Sequence, residues 1–293
     1  MEMRSSWRSI RAISLFVTLT TAAIQSIFAS VPGNPIASGI VQASFISPWD
    51  KTKQTYLLSD YRLAKNKESA ETPLLVIYLH GATAHEDQGM TAGIYQNSFG
   101  RLALELERRE AIYVCPEYRG GSWMGAAAEA DVSEIIAILR KKYHPKKIIL
   151  MGGSMGGTSV LIYAARNPKN LDGGIALCPA TDPAKMFPRF QDQFLHSYGG
   201  SPSEKPDLYQ ERSAMDHVAE LATVPLVIIH GSADSMIPVE HSRNLVSKLQ
   251  ELGARIHYIE VNGGGHDTPI HAVDWRDCFD FVLQPLSKPS PLK

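Results

Sequence analysis

Three residues of this chain have the types and spacing that nucleophilic acyl transfer requires: Ser154 in Gly152-Gly153-Ser154-Met155-Gly156-Gly157, Asp234 in His230-Gly231-Ser232-Ala233-Asp234, and His266 in Gly263-Gly264-Gly265-His266. A serine hydroxyl is a weak nucleophile until a base takes its proton, and the base needs a third group to orient it. The Gly-x-Ser-x-Gly pattern suits a turn so tight that side chains two positions either side of the serine would strike the adjoining strand and helix. A glycine-rich turn without chemistry is the alternative at this motif. A nucleotide-binding loop is disfavoured because the Lys-Ser/Thr ending is missing. Asp234 competes with its own reading as a turn or helix-terminal aspartate, and with Asp216 and Asp182, neither of which directly follows a clear strand. His266 competes with a surface imidazole, and His271 is the fallback base. The negative oxygen formed during acyl transfer needs two backbone N–H donors. Met155, directly after the serine, is expected to supply one, and the loop in Tyr78-Leu79-His80-Gly81-Ala82-Thr83 the other, with Ala82 ahead of Thr83.

These residues can cooperate only if separate elements bring them to one edge. Apolar runs at 74–79, 111–114, 147–151, 174–177, 226–229 and 255–261 are continuous rather than alternating, as strands buried on both faces require. Two further strand candidates, 39–46 and 53–64, precede them. Helical periodicity occupies 100–110, 126–143, 156–166, 239–252 and 274–283. Strands alternating with helices predict a doubly wound α/β fold, a mostly parallel sheet with helices on both faces. Residues 179–223 are too long for a simple connection. They form either a small cap over the site or an elaborated surface crossover.

With 293 residues, 44% apolar and 20% charged, the chain suits one sizeable domain. Its formal net charge of -1, with no basic run along a helix face, argues against nucleic acid as a partner. Arg4, Arg8 and Arg11 precede an uncharged stretch ending in Ser26-Ile27-Phe28-Ala29, the pattern of an export signal cleaved after Ala29. An uncleaved anchor and an ordinary helix are the alternatives. The expected organisation is a signal peptide at 1–29, a linker at 30–38, one α/β domain at 39–286 and a tail at 287–293, in a secreted or periplasmic protein. Nothing after Ala29 runs apolar for long enough to span a bilayer. Cys115, Cys178 and Cys278 cannot all pair, read as small core residues, and lack metal-site spacing.

The succession His80-Gly81, Tyr118-Arg119-Gly120-Gly121-Ser122, Ala130-Asp131-Val132, Gly152-Gly153-Ser154-Met155-Gly156-Gly157, His230-Gly231-Ser232-Ala233-Asp234 and Gly264-Gly265-His266 resembles the catalytic domain of the prolyl oligopeptidase-like α/β-hydrolases. It is also similar to secreted carboxylesterases of related design. The likeness covers roughly 74–283 and implies an α/β-hydrolase fold with Ser154, Asp234 and His266 as the triad. The family's usual strand order would put the strands of Cys115 and Cys178 roughly 14 Å apart at about 4.8 Å per step, too far for a disulfide. The sequence departs from the family's peptidases in two ways. Only about forty residues separate the expected signal from the His80-Gly81 strand, too few for a propeller domain, and Met155 stands where those peptidases tend to carry an aromatic residue. The expectation is therefore a serine hydrolase that cleaves carboxylic esters through an acyl-enzyme, acting on a small-molecule ester or short peptide, with no metal or organic cofactor implied. A peptidase or amidase is the alternative enzyme, and an inactive hydrolase-fold binding protein the alternative of another class.

Overall fold

Each of the central apolar runs becomes a strand with both faces covered. The computed structural model describes residues 39–62, 74–91 and 95–284. The expected signal, linker and C-terminal tail lie outside the described residues. The first half contains β1 (Ile40–Ile46), β2 (Lys53–Asp60), β3 (Leu74–Leu79), α1 (Gln88–Thr91), α2 (Gln96–Arg108), β4 (Ile112–Pro116), α3 (Ala126–Tyr143), β5 (Lys147–Gly153) and α4 (Met155–Arg166). The second contains β6 (Gly173–Leu177), α5 (Pro183–Met186), α6 (Gln191–Tyr198), α7 (Pro206–Glu211), α8 (Val218–Leu221), β7 (Leu226–Gly231), α9 (Glu240–Glu251), β8 (Ile256–Val261), α10 (Thr268–Ala272) and α11 (Trp275–Leu283).

The eight strands form one sheet in the order β1-β2-β4-β3-β5-β6-β7-β8. β1 and β2 run antiparallel at one edge, and every pairing from β4 to β8 is parallel. The expected mostly parallel α/β sheet is thus present. The second strand ends earlier than its apolar pattern suggests. Asp60 accepts a hydrogen bond from the Arg62 N–H at 3.1 Å and turns the chain there.

Successive strand residues alternate between two cores. Leu75, Ile77, Leu79, Ile148 and Leu150 pack against α3, α4 and α9, while Leu74, Val76, Tyr78, Ile149 and Met151 pack against α2 and α11. Burying each large aliphatic side chain contributes on the order of 1.5–3 kcal/mol. All three cysteines are buried and free. The segment 179–223 carries α5 to α8, and its Met186, Phe194, Tyr198 and Tyr209 join the first of these cores. Phe194 stacks on Trp123 with ring centroids 5.0 Å apart, and Phe190 lies 4.8 Å from the same indole. No helix among the described residues is long and apolar enough to cross a membrane.

Candidate active site

Strand β5 carries the chain to its carboxyl end, where Ser154 stands between the strand and α4 with φ 58° and ψ −122°. Such a setting costs a non-glycine residue on the order of 1–3 kcal/mol and persists only where the surroundings enforce it. The Ser154 N–H donates to Leu177 O at 2.9 Å, and the Thr158 N–H donates to Ser154 O at 2.9 Å. Close approach explains the flanking glycines: a Cβ on Gly156 would lie 2.0 Å from Leu79 O, and one on Gly152 2.6 Å from the same oxygen.

The loops after β7 and β8 bring the acid and the base. The Ser154 hydroxyl donates to His266 Nε2 at 2.9 Å, and the His266 Nδ1–H donates to Asp234 Oδ2 at 2.7 Å. Asp234 also fills the turn role considered for it. Its Oδ1 accepts from the Met236 N–H at 2.8 Å and the Ile237 N–H at 2.9 Å. The two readings coexist, one on each oxygen. His230, fully buried, places Nε2 2.9 Å from Ile237 O and 3.3 Å from Asp234 Oδ2, while Ser242 Oγ lies 2.7 Å from its Nδ1. Burial alone would raise the Asp234 carboxyl, but hydrogen bonds from His230, His266 and Ile237 hold it well below the usual carboxylate range. Burial alone would lower His266, but the Asp234 carboxylate holds it above the ordinary imidazole value.

Of the rivals, Asp182 caps α5 by accepting from the Ala184 N–H at 3.1 Å, and Asp216 lies in the turn before α8. His271 sits in α10, with Ser98 Oγ 3.4 Å from its Nδ1 and its carbonyl accepting from Arg101.

Met155 occupies the first position of α4, where a helix offers its N–H no internal acceptor. The other expected donor lies in the loop after β3, whose peptide units are tethered one after another. The unit joining His80 and Gly81 is held at both ends: Tyr118 Oη–H donates to His80 O at 2.7 Å, and the Gly81 N–H donates to Gln88 Oε1 at 2.8 Å. Gly81 O accepts from the Ala84 N–H at 3.2 Å and lies 2.8 Å from His80 Nδ1. Ala82 O accepts from Gln193 Nε2 at 3.2 Å. Among the described residues, the Ala82 N–H has no protein acceptor. Gln88, Tyr118 and Gln193 belong to no catalytic motif and were not expected at the site. The Tyr118-Arg119-Gly120-Gly121-Ser122 resemblance was the only signal bearing on any of them.

A cavity of about 50 Å³ adjoins Ser154, with Tyr78, Gln88, Leu177, Cys178 and Ile270 among its walls. A larger groove of about 430 Å³ lies between α2 and the α10–α11 region; His271, the fallback base, lines it, but Ser154, Asp234 and His266 do not. Cys178, Asp234 and His266 bring potential metal-ligand atoms within 4.8 Å of one another. Both Asp234 oxygens and both His266 ring nitrogens already hold hydrogen bonds, and the thiol donates to His266 O at 3.2 Å. The cluster is better suited to fixing the imidazole than to binding a cation.

The model described as the prolyl oligopeptidase family matches residues 98–287. Over 142 residues the chain is 27% identical to the protein YfhR of Escherichia coli strain K12, covering 46% of this chain and 47% of that protein. It thus spans about half the length of this curated relative. A ferulic acid esterase shares the fold with a TM-score of 0.63 at 18% identity, over 83% of this chain and 97% of that one. An acylaminoacyl peptidase of Pyrococcus horikoshii does so with a TM-score of 0.59 at 16% identity, over 80% and 39%.

Proposed function

The chain belongs to the prolyl oligopeptidase family and is a serine hydrolase of the α/β-hydrolase type, and from that premise we propose that it cleaves carboxylic esters through an acyl-enzyme on Ser154. The observation that carries this reading is the hydrogen-bonded chain Ser154–His266–Asp234, with links of 2.9 and 2.7 Å. His266 Nε2 takes the hydroxyl proton as Ser154 Oγ bonds to the acyl carbon, and the resulting imidazolium is stabilised by Asp234. The Met155 and Ala82 N–H groups receive the oxyanion. Collapse expels the alcohol with the proton from His266. Water, deprotonated by the same imidazole, then releases the acid.

One observation favours ester over peptide: Met155 stands where the family's peptidases tend to carry an aromatic residue after the serine. Amide hydrolysis is the second reading, supported by the peptidases within the family. Labelling by a fluorophosphonate probe, lost in Ser154→Ala, tests the nucleophile. Turnover of p-nitrophenyl acetate but not of a peptide anilide tests the ester assignment, and the reverse preference would replace it with the peptidase reading. On this reading the substrate is a small-molecule ester, with a short peptide as the alternative, and export after cleavage at Ala29 remains part of the proposal, to be read from the N-terminus of the mature protein.

A further inference from the structure

We infer that Gln193, from α6 of the 179–223 insertion, is a positioning residue for the oxyanion hole. The inference rests on the hydrolase reading above. Gln193 Nε2 donates to Ala82 O at 3.2 Å, and Gln193 Oε1 accepts from Trp123 Nε1–H at 2.6 Å. An indole nitrogen only donates and a carbonyl only accepts, so these two partners permit one orientation of the carboxamide. The side chain therefore works as a directional strut from the buried Trp123 to the backbone of the oxyanion loop.

The loop leaves the two rotations at the Ala82 α-carbon for this strut to restrain. The Ala82 N–H lies in the planar unit that begins with the Gly81 carbonyl, and that carbonyl is tethered at 3.2 Å by the Ala84 N–H. The next unit begins at the Ala82 carbonyl, which Gln193 holds. Fixing both units fixes the rotations at the Ala82 α-carbon and hence the direction of its N–H. The surroundings are shaped to admit the strut. A Cβ on Gly121 would lie 2.8 Å from Gln193 Cδ, and one on Gly125 2.2 Å from Ser197 Oγ in the same helix. Tyr198 Oη–H donates to Trp123 O at 2.8 Å, so α6 also anchors the residue on which the strut leans. The insertion thus takes part in transition-state stabilisation through Ala82 without touching substrate.

The test compares Gln193→Ala and Gln193→Glu with Leu195→Ala, a change on the exposed side of the same helix. Deleting an oxyanion donor costs about 10²- to 10³-fold in rate, and misdirecting one should cost less. With p-nitrophenyl acetate, both Gln193 variants should lose about 10- to 100-fold in kcat while KM stays within about threefold. Affinity for an alkylboronic acid, which forms a tetrahedral adduct on Ser154, should fall by the same factor. Fluorophosphonate labelling of Ser154 should persist in both variants; the melting midpoint should fall in Gln193→Ala, where the buried Trp123 N–H loses its acceptor, and stay near that of Leu195→Ala in Gln193→Glu, whose carboxylate keeps it. A kcat within twofold of the parent in both Gln193 variants, or an equal loss in Leu195→Ala, overturns the inference while leaving the hydrolase reading intact. A parent protein that does not label at Ser154 overturns both.

Discussion

The two halves of the site are held by different means. Ser154, Asp234 and His266 stand on loops at the carboxyl ends of β5, β7 and β8, so the register of one sheet sets their spacing and their own hydrogen bonds complete it. The loop at 80–83, after β3, is instead tied from outside by Gln88, Tyr118 and Gln193, side chains from three separate segments. The triad half has little redundancy: each member has one function no neighbour can assume. The oxyanion half distributes a single task, aiming an N–H, over several tethers. Damage to the first should be severe and damage to the second graded.

The largest expected effect tests the indispensability of the triad half. Ser154→Ala should lower kcat by about 10⁵- to 10⁶-fold, to what the oxyanion donors and binding achieve alone, as single-turnover assays would show. Asp234→Asn should cost about 10⁴-fold because the amide favours the wrong imidazole tautomer. It should also change the pH profile. His266 accepts a proton only when neutral, so activity rises with pH through its folded-state pKa, which the carboxylate holds above the ordinary imidazole value. The acid limb of kcat/KM should therefore lie above about pH 6.5 in the parent and move downward in Asp234→Asn, where burial loses its chief opponent and only the Cys178 contribution still raises the imidazole. An unmoved limb would show that Asp234 does not set the charge of the base. The same linkage bears on stability: the pair's contribution from His266 is full below the unfolded imidazole pKa and lost as pH rises through the raised value.

Gly156→Ala ranks next, and it tests whether sheet packing sets the triad's geometry. A Cβ there would stand 2.0 Å from Leu79 O, part of β3, so the nucleophile turn or that strand must shift. Overpacking of this kind costs about 1–3 kcal/mol or more, and a displacement near 1 Å costs about 100-fold in rate. A lowered melting midpoint together with reduced kcat is expected. Unchanged values would mean that the strained turn is not enforced by its neighbours.

This division also explains what could be read from sequence. Glycines at 152 and 156, the His230-Gly231 pair and the glycine run before His266 are local consequences of sharp turns at strand ends, so the triad half leaves a compact linear signature. Sheet class was equally legible, because strands covered on both faces must be apolar throughout. Gln193 leaves no such trace. It lies 111 positions from Ala82, in a segment whose helices are short, and a half-buried glutamine looks in sequence like any polar residue on a helix. The 3.3 Å approach of His230 to Asp234 depends on the turn at Ile237 rather than on spacing alone. The early end of β2 likewise came from a side-chain turn at Asp60 that competes with an otherwise strand-like pattern.

Tyr118→Phe should have the smallest effect and most sharply tests whether the oxyanion half is distributed. The hydroxyl donates to His80 O at 2.7 Å, and the ring lies 4.6 Å from the His80 imidazole between centroids. Removing only the oxygen keeps that packing and leaves one buried carbonyl short of a partner, a cost of about 1–3 kcal/mol to stability. The Gly81 N–H in the same peptide unit remains tied to Gln88, so the unit should rotate little. The expected result is a lower melting midpoint with kcat reduced by no more than about fivefold. A far greater loss of kcat would mean that the tethers act in series, each indispensable, and the contrast with the triad half would fail. Combining Tyr118→Phe with Gln193→Ala decides the matter. Parallel tethers make the double variant worse than the product of the single losses, because the units on either side of the one that carries the Ala82 N–H are then both loosened, whereas independent contributions multiply without excess.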